Sequence, residues 1–173
     1  MWIVKCATSA FCWGIMIFMQ YTSMGSVTTM VGQEQDKSWF VPEGPYALIV
    51  DDDDAILSVV MLLLEMEGYA GLGVSYSQEV LPFLEYALSD HLPAVILLDL
   101  MMPVVSGYDI ALNLSHHEKF AHIPITIMTA DNRIRSADAV QGASDLINKP
   151  FQIQQLLVKL NRYLARSPGS DEK

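Results

Sequence analysis

The stretch YALIV (46–50) is apolar at every position, so it presents no polar face to water on either side. A strand with that pattern is buried on both faces, which points to a parallel sheet covered by helices. AVILLDL (94–100) is the clearest strand of the chain, and IPITIMTA (123–130) is a third. GLGVSY (71–76) and DLINK (145–149) are shorter candidates. Between them lie segments with helical spacing. DAILSVVMLLLEMEG (54–68) has Asp near its start and Gly68 as a stop. SQEVLPFLEYALSD (77–90) reads as a helix capped by Ser77 and disturbed at Pro82. GYDIALNLSHH (107–117), the weaker NRIRSADAVQG (132–142) and IQQLLVKLNRYLA (153–165) complete the set. Five strands alternating with five helices through short connections predict an α/β fold, a doubly wound five-stranded parallel sheet.

The alternation begins only at residue 46. Residues 1–33 form an apolar N-terminal segment in which Lys5 is the single charge. Residues 6–31 are uncharged for long enough to cross a bilayer, about 20 residues being sufficient. This segment reads as a membrane anchor, a signal-like segment or a leader translated from an early start codon. Residues 34–45 read as a linker, 46–165 as the folded domain and 166–173 as a polar tail. The expected location is cytoplasmic, with membrane anchorage through residues 6–31 as the alternative. With 51% apolar and 17% charged residues, most of the 173-residue chain is expected to fold. A net charge of -10 argues against a nucleic-acid surface, which needs clustered Lys and Arg. The two cysteines, Cys6 and Cys12, make neither a disulfide framework nor a zinc pattern.

In open α/β sheets, ligands sit outside the carboxyl ends of the strands, where the strand order reverses. Asp51 and Asp52 end the first strand, Asp99 the third, Thr129 the fourth and Lys149 the fifth, so all five are expected at one edge. Asp51 to Asp54 are four consecutive aspartates, whose mutual repulsion calls for an external counter-charge. Carboxylates, a hydroxyl and an amine at one edge suit a hard cation and a phosphoryl group. Mg²⁺ takes oxygen ligands, and a carboxylate can attack phosphorus directly.

Four pieces in this order, LIVDDD, LLDLMMPVVSG, TIMTA and INKPF, resemble the receiver domain of bacterial two-component response regulators over residues 46–165. The resemblance implies the flavodoxin-like receiver fold, with Asp99 as phosphoacceptor. It implies Asp52 as direct metal ligand, Asp51 as its partner, and Met101 as donor of a backbone carbonyl to the metal. Thr129 and Lys149 would bind phosphoryl oxygens, and the Lys149–Pro150 bond would be cis. Mg²⁺ is the implied cofactor, with Mn²⁺ possible. A histidine kinase or phosphotransfer protein is the implied phosphodonor, and an unknown downstream protein reads the result. Such a chain phosphorylates itself and hydrolyses the phosphate slowly, and is not an enzyme with a separate substrate. The alternatives are a non-cycling pseudo-receiver and an aspartyl-phosphate hydrolase. The hydrolase class wants a second Asp two residues after the nucleophile, where Met101 stands.

Three departures accompany the resemblance. Leu146 stands where an aromatic residue is usual, and PVVSG carries two valines where a glycine and small or polar residues are common. The chain ends nine residues after Leu164, which leads to the expectation of a stand-alone receiver without an output domain. The histidines at 91, 116, 117 and 122 lack metal-ligand spacing. Met61, Met66 and Met128 are core candidates, and Met102 is expected to pack in its loop.

Overall fold

Every residue of Tyr46–Val50 is buried, and successive side chains enter two different cores. Tyr46, Leu48 and Val50 join one apolar cluster; Ala47 and Ile49 join the other. This is the period-two geometry of a strand acting on a wholly apolar segment. A fully buried aliphatic side chain contributes about 2 kcal/mol of transfer free energy, enough to decide where such a strand lies.

The computed structural model describes residues 27–29, 39, 41–87 and 91–165. The elements are β1 (Val27–Thr29), β2 (Tyr46–Val50), α1 (Asp54–Met66), β3 (Ala70–Val74), α2 (Val80–Ala87) and β4 (Val95–Asp99). They continue with α3 (Gly107–His116), β5 (Ile125–Thr129), β6 (Asp145–Asn148) and α4 (Ile153–Leu164). The strands form one sheet in the order β1-β3-β2-β4-β5-β6, with every pair parallel. Helices α2 and α3 cover the Tyr46 face through Val80, Phe83, Leu84, Ile110 and Leu114. Helices α1 and α4 cover the Ile49 face through Leu57, Val60, Leu64, Leu156 and Leu160. The doubly wound parallel sheet is therefore as expected, and its order reverses between β2 and β4.

Four expectations are corrected. The segment 132–142 is not an α-helix, so the described residues hold four α-helices rather than five. Only Ala137–Ala139 forms a 3-10 turn. Its apolar anchors, Ile134 and Val140, are both buried but do not make a helical stripe. Asp131 instead satisfies the local backbone: its side chain accepts from the Arg133 N–H, and its carbonyl from the Ile134 N–H.

Ser77 does not cap α2. It opens a 3-10 turn, Ser77–Glu79, and its hydroxyl bonds to the Pro103 carbonyl and the Val105 N–H instead. Pro82 does not disturb α2, because it is the third residue of the helix, where the missing N–H has no intrahelical acceptor to lose. Met66 is 73% exposed, whereas Met61, Met102 and Met128 are buried.

The sheet also gains a strand from the apolar N-terminal segment. Val27–Thr29 pairs in register with Gly71–Gly73 and covers what is otherwise the open edge of β3. Trp39 packs edge-on against Phe83 with ring centroids 5.3 Å apart, and Val41 also packs on that core. The remaining expectations for residues 1–38, including the anchor at 6–31, and for the tail 166–173 lie outside the described residues. Among the described residues no helix is long and apolar enough to cross a membrane.

Candidate functional site

Asp51 follows the last residue of β2, Asp99 ends β4, Thr129 ends β5 and Lys149 follows β6. The sheet brings all four to its carboxyl edge, together with exposed Asp52. Asp51 is 1% exposed and Asp99 5%, unusual burial for carboxylates. Lys149 answers it. Its ammonium donates to Asp51 Oδ2 at 2.6 Å and to Asp99 Oδ1 at 2.7 Å, across 98 and 50 residues of sequence. The Lys149–Pro150 bond is cis. The Lys149 backbone N–H donates to the Thr129 carbonyl at 2.7 Å, tying the ends of β5 and β6 together.

Each carboxylate also has a backbone donor. Asp51 Oδ1 accepts from the Asp53 N–H at 3.0 Å, and Asp99 Oδ2 from the Met101 N–H at 2.8 Å. Asp53 itself is the N-cap of α1, its side chain accepting from the Ala55 N–H, and Asp54 is the first helical residue. The four aspartates thus divide into two that face the site and two that begin the helix. Burial pushes the Asp51 carboxyl above its ordinary pKa, and this outweighs the opposing hydrogen bond and charge of Lys149. Burial works against the Lys149 ammonium too, but its hydrogen bonds and attraction to Asp51 and Asp99 prevail and hold its pKa above the usual value.

Carboxylate oxygens of Asp51, Asp52 and Asp99 lie within 4.8 Å of one another, the one such acidic group among the described residues. The Met101 side chain is 72% exposed, leaving its backbone as the part that faces inward. Thr129 is fully buried and its Oγ1 accepts from the Asp131 N–H at 3.0 Å. The Asp131 carboxylate is held by the Arg133 guanidinium, whose hydrogen bonds lower its pKa to about 2.

The approach of α3 completes the site. A Cβ on Gly107 would lie 2.0 Å from the Asp99 carbonyl oxygen and 2.7 Å from Leu100 Cα. Only glycine lets the start of α3 rest on the end of β4. Leu146 is half-buried against the core on the α2 and α3 side.

The sequence brought forward all five strand-end residues but missed two others at this edge. Arg133 gives no local signal except an Asp two residues earlier. Ser77 was read as a cap, although its hydroxyl bonds to the β4–α3 loop 26 residues away.

Fold and cluster define an open α/β protein with its ionisable groups gathered at the topological switch point. The chain belongs to the response regulator receiver domain family, whose model matches residues 47–161. It is 37% identical to the phosphate regulon transcriptional regulatory protein PhoB of Pseudomonas aeruginosa, over 75% of this chain and 56% of that protein. It is likewise 37% identical to the DNA-binding dual master transcriptional regulator RpaA of Synechocystis, over 71% and 50%. The chain thus spans about half the length of the curated relatives it matches.

Among solved structures, the receiver domain of the sensor histidine kinase PA1611 of Pseudomonas aeruginosa holds a magnesium ion in its active site cleft. It superposes with a TM-score of 0.60 at 25% identity, over 71% of this chain and 99% of that one. The Vibrio cholerae chemotaxis protein CheY4 gives 0.57 at 28% identity, over 70% and 99%.

Proposed function

We propose that this chain accepts a phosphoryl group on Asp99 from a phosphohistidine of a histidine kinase or phosphotransfer protein, and signals through altered binding of a downstream protein. The observation that carries the reading is Lys149 reaching from β6 to both Asp51 and Asp99. An ammonium in that place neutralises the buried acids at rest and is ready for the charge that arrives with phosphate.

The three clustered carboxylates fit a hard divalent cation, Mg²⁺ or Mn²⁺. Asp51, Asp52, Asp99 and the Met101 carbonyl are the groups that would hold it. Once bound, it would offset the negative charge that otherwise keeps a phosphodonor away from these acids.

The chain's own residues supply the rest. An Asp99 carboxylate oxygen attacks phosphorus in line as the P–N bond to the donor imidazole breaks, and the bonding pair leaves on the imidazole nitrogen. Lys149 follows the developing negative charge on one phosphoryl oxygen, and the Thr129 hydroxyl donates to another. Attack of water on the same phosphorus breaks its P–O bond to Asp99 and returns the carboxylate and inorganic phosphate. No separate substrate is involved. Residues 46–165 are the part we assign to this activity. Because phosphohistidine donors of this type are cytosolic, the reading places the domain in the cytoplasm.

Incubation with phosphoramidate and Mg²⁺, followed by intact-mass measurement, tests the assignment. The expected result is a single phosphoryl adduct on the native chain and none on Asp99→Asn. Undiminished labelling of that variant would place the nucleophile elsewhere.

A further inference from the structure

Val104 is the only non-glycine residue with positive φ among those described, at +69°. It is a β-branched residue, for which this region is a steric outlier. It sits in the β4–α3 loop, 84% exposed, so packing does not hold it there. The Val105 N–H closes a three-residue turn over it by donating to the Pro103 carbonyl at 2.9 Å. Such a turn with positive φ at its centre is rare and strained, and something must over-determine it.

One side chain grips both of its ends. Ser77, 4% exposed, donates its hydroxyl to the Pro103 carbonyl at 2.8 Å and accepts from the Val105 N–H at 3.2 Å. A 3.5 Å approach to Gln78 Oε1 is the longer alternative for the hydroxyl proton. Two residues before Pro103 lies Met101, whose N–H holds Asp99 Oδ2. The path from Ser77 to the carboxylate is therefore continuous: hydroxyl, strained turn, Met101 backbone, Asp99.

We infer that Ser77 is a positioning residue for the phosphoacceptor loop, which holds the left-handed turn at Val104 and so places the Met101 backbone against Asp99. The functional part of this inference rests on the phosphoacceptor reading of Asp99; the structural part does not. If the clamp exists to restrain Val104, a glycine there removes the need for it. Ser77 and position 104 should then be energetically coupled, as contacting residues are.

The test is a double-mutant cycle of Ser77→Ala and Val104→Gly on the full chain, with two readouts. Amide hydrogen exchange at Met101 is measured in metal-free protein, and the Mg²⁺ half-saturation of phosphoramidate labelling is measured alongside. Ser77→Ala is expected to speed Met101 exchange by about fivefold or more, and to raise the half-saturating Mg²⁺ concentration. In the Val104→Gly background both effects should fall below about twofold.

Unchanged Met101 exchange in Ser77→Ala would overturn the inference. So would effects of equal size in both backgrounds, since Ser77 would then be an ordinary buried hydrogen bond. If the exchange pattern holds while the native chain takes up no phosphate, the clamp stands and the phosphoacceptor reading fails.

Discussion

Asp51 shows how a single residue carries conflicting demands. It is buried beside a second carboxylate, and its folded-state pKa is raised chiefly by that burial. A carboxyl with a raised folded pKa binds its proton more tightly in the folded state. Its favourable contribution is present below the unfolded value, about 3.9, and is lost as pH rises through the folded value. At neutral pH the charged form therefore opposes folding. Asp51→Asn is expected to leave the metal-free melting temperature at pH 7 equal to or above that of the native chain. It should also flatten the fall in stability as pH rises from the acid side. The same variant should lose most of the rise in melting temperature that Mg²⁺ produces, since a cation that binds only the folded site stabilises by mass action. Paired thermal melts with and without Mg²⁺ check both halves. A variant destabilised without metal would mean that the Lys149 pairing outweighs the burial cost.

Between elements, the closest constraint is the contact of α3 with the end of β4. The helix begins at Gly107 with its N-cap, Ser106, accepting from the Asp109 N–H, while the Gly107 N–H donates to the Leu100 carbonyl. Any Cβ at 107 collides with backbone rather than with a pliable side chain. Gly107→Ala is expected to cost about 2 kcal/mol, the scale of overpacking at a site with little room to relax. It should also slow phosphorylation by displacing Asp99. Urea unfolding and labelling rate measure the two effects, and native values for both would show that α3 can shift freely. The crossover from β5 to β6 has the opposite character. With no α-helix over 132–142, it is anchored by Ile134 and Val140 in the core, and the Asp131–Arg133 pair lies at the surface. Arg133 is 91% exposed, so that pair adds little to stability and is screened by salt.

At the scale of the molecule, the segment before Tyr46, about a quarter of the chain, and the α/β unit have different standing. β1 contributes three residues to one sheet edge, whereas Trp39 and Val41 pack on the α2 and α3 side of the core. The PA1611 receiver domain and CheY4 each align over 99% of their own length with 71% and 70% of this chain. A chain beginning at Asp36 is accordingly expected to unfold cooperatively and to accept phosphate at the native rate, with a melting temperature a few degrees lower. One beginning at Tyr46 should lose more, because it also loses the contact of Trp39 with Phe83. Thermal melts of the two truncations decide. Failure of the first to fold would show that pairing at the β3 edge is essential.

What the sequence determined by itself was the sheet and the site's membership. YALIV and AVILLDL are apolar throughout, and such segments have no stable place except between two layers of helix. Once their direction is parallel, the residues that end them must meet, which is why Asp51, Asp99, Thr129 and Lys149 were legible together. Helix 132–142 was misread because its composition permits a helix, while the burial of Ile134 and Val140 and the local hydrogen bonds of Asp131 prefer a loop. Ser77 looked like a cap because a serine before an apolar helical run usually is one. Its partners are backbone groups 26 and 28 positions away, and no local pattern encodes them. Tertiary structure alone decided these points: a hydroxyl or a backbone N–H bonds to whatever the fold brings within about 3 Å, and separation along the chain does not enter that distance.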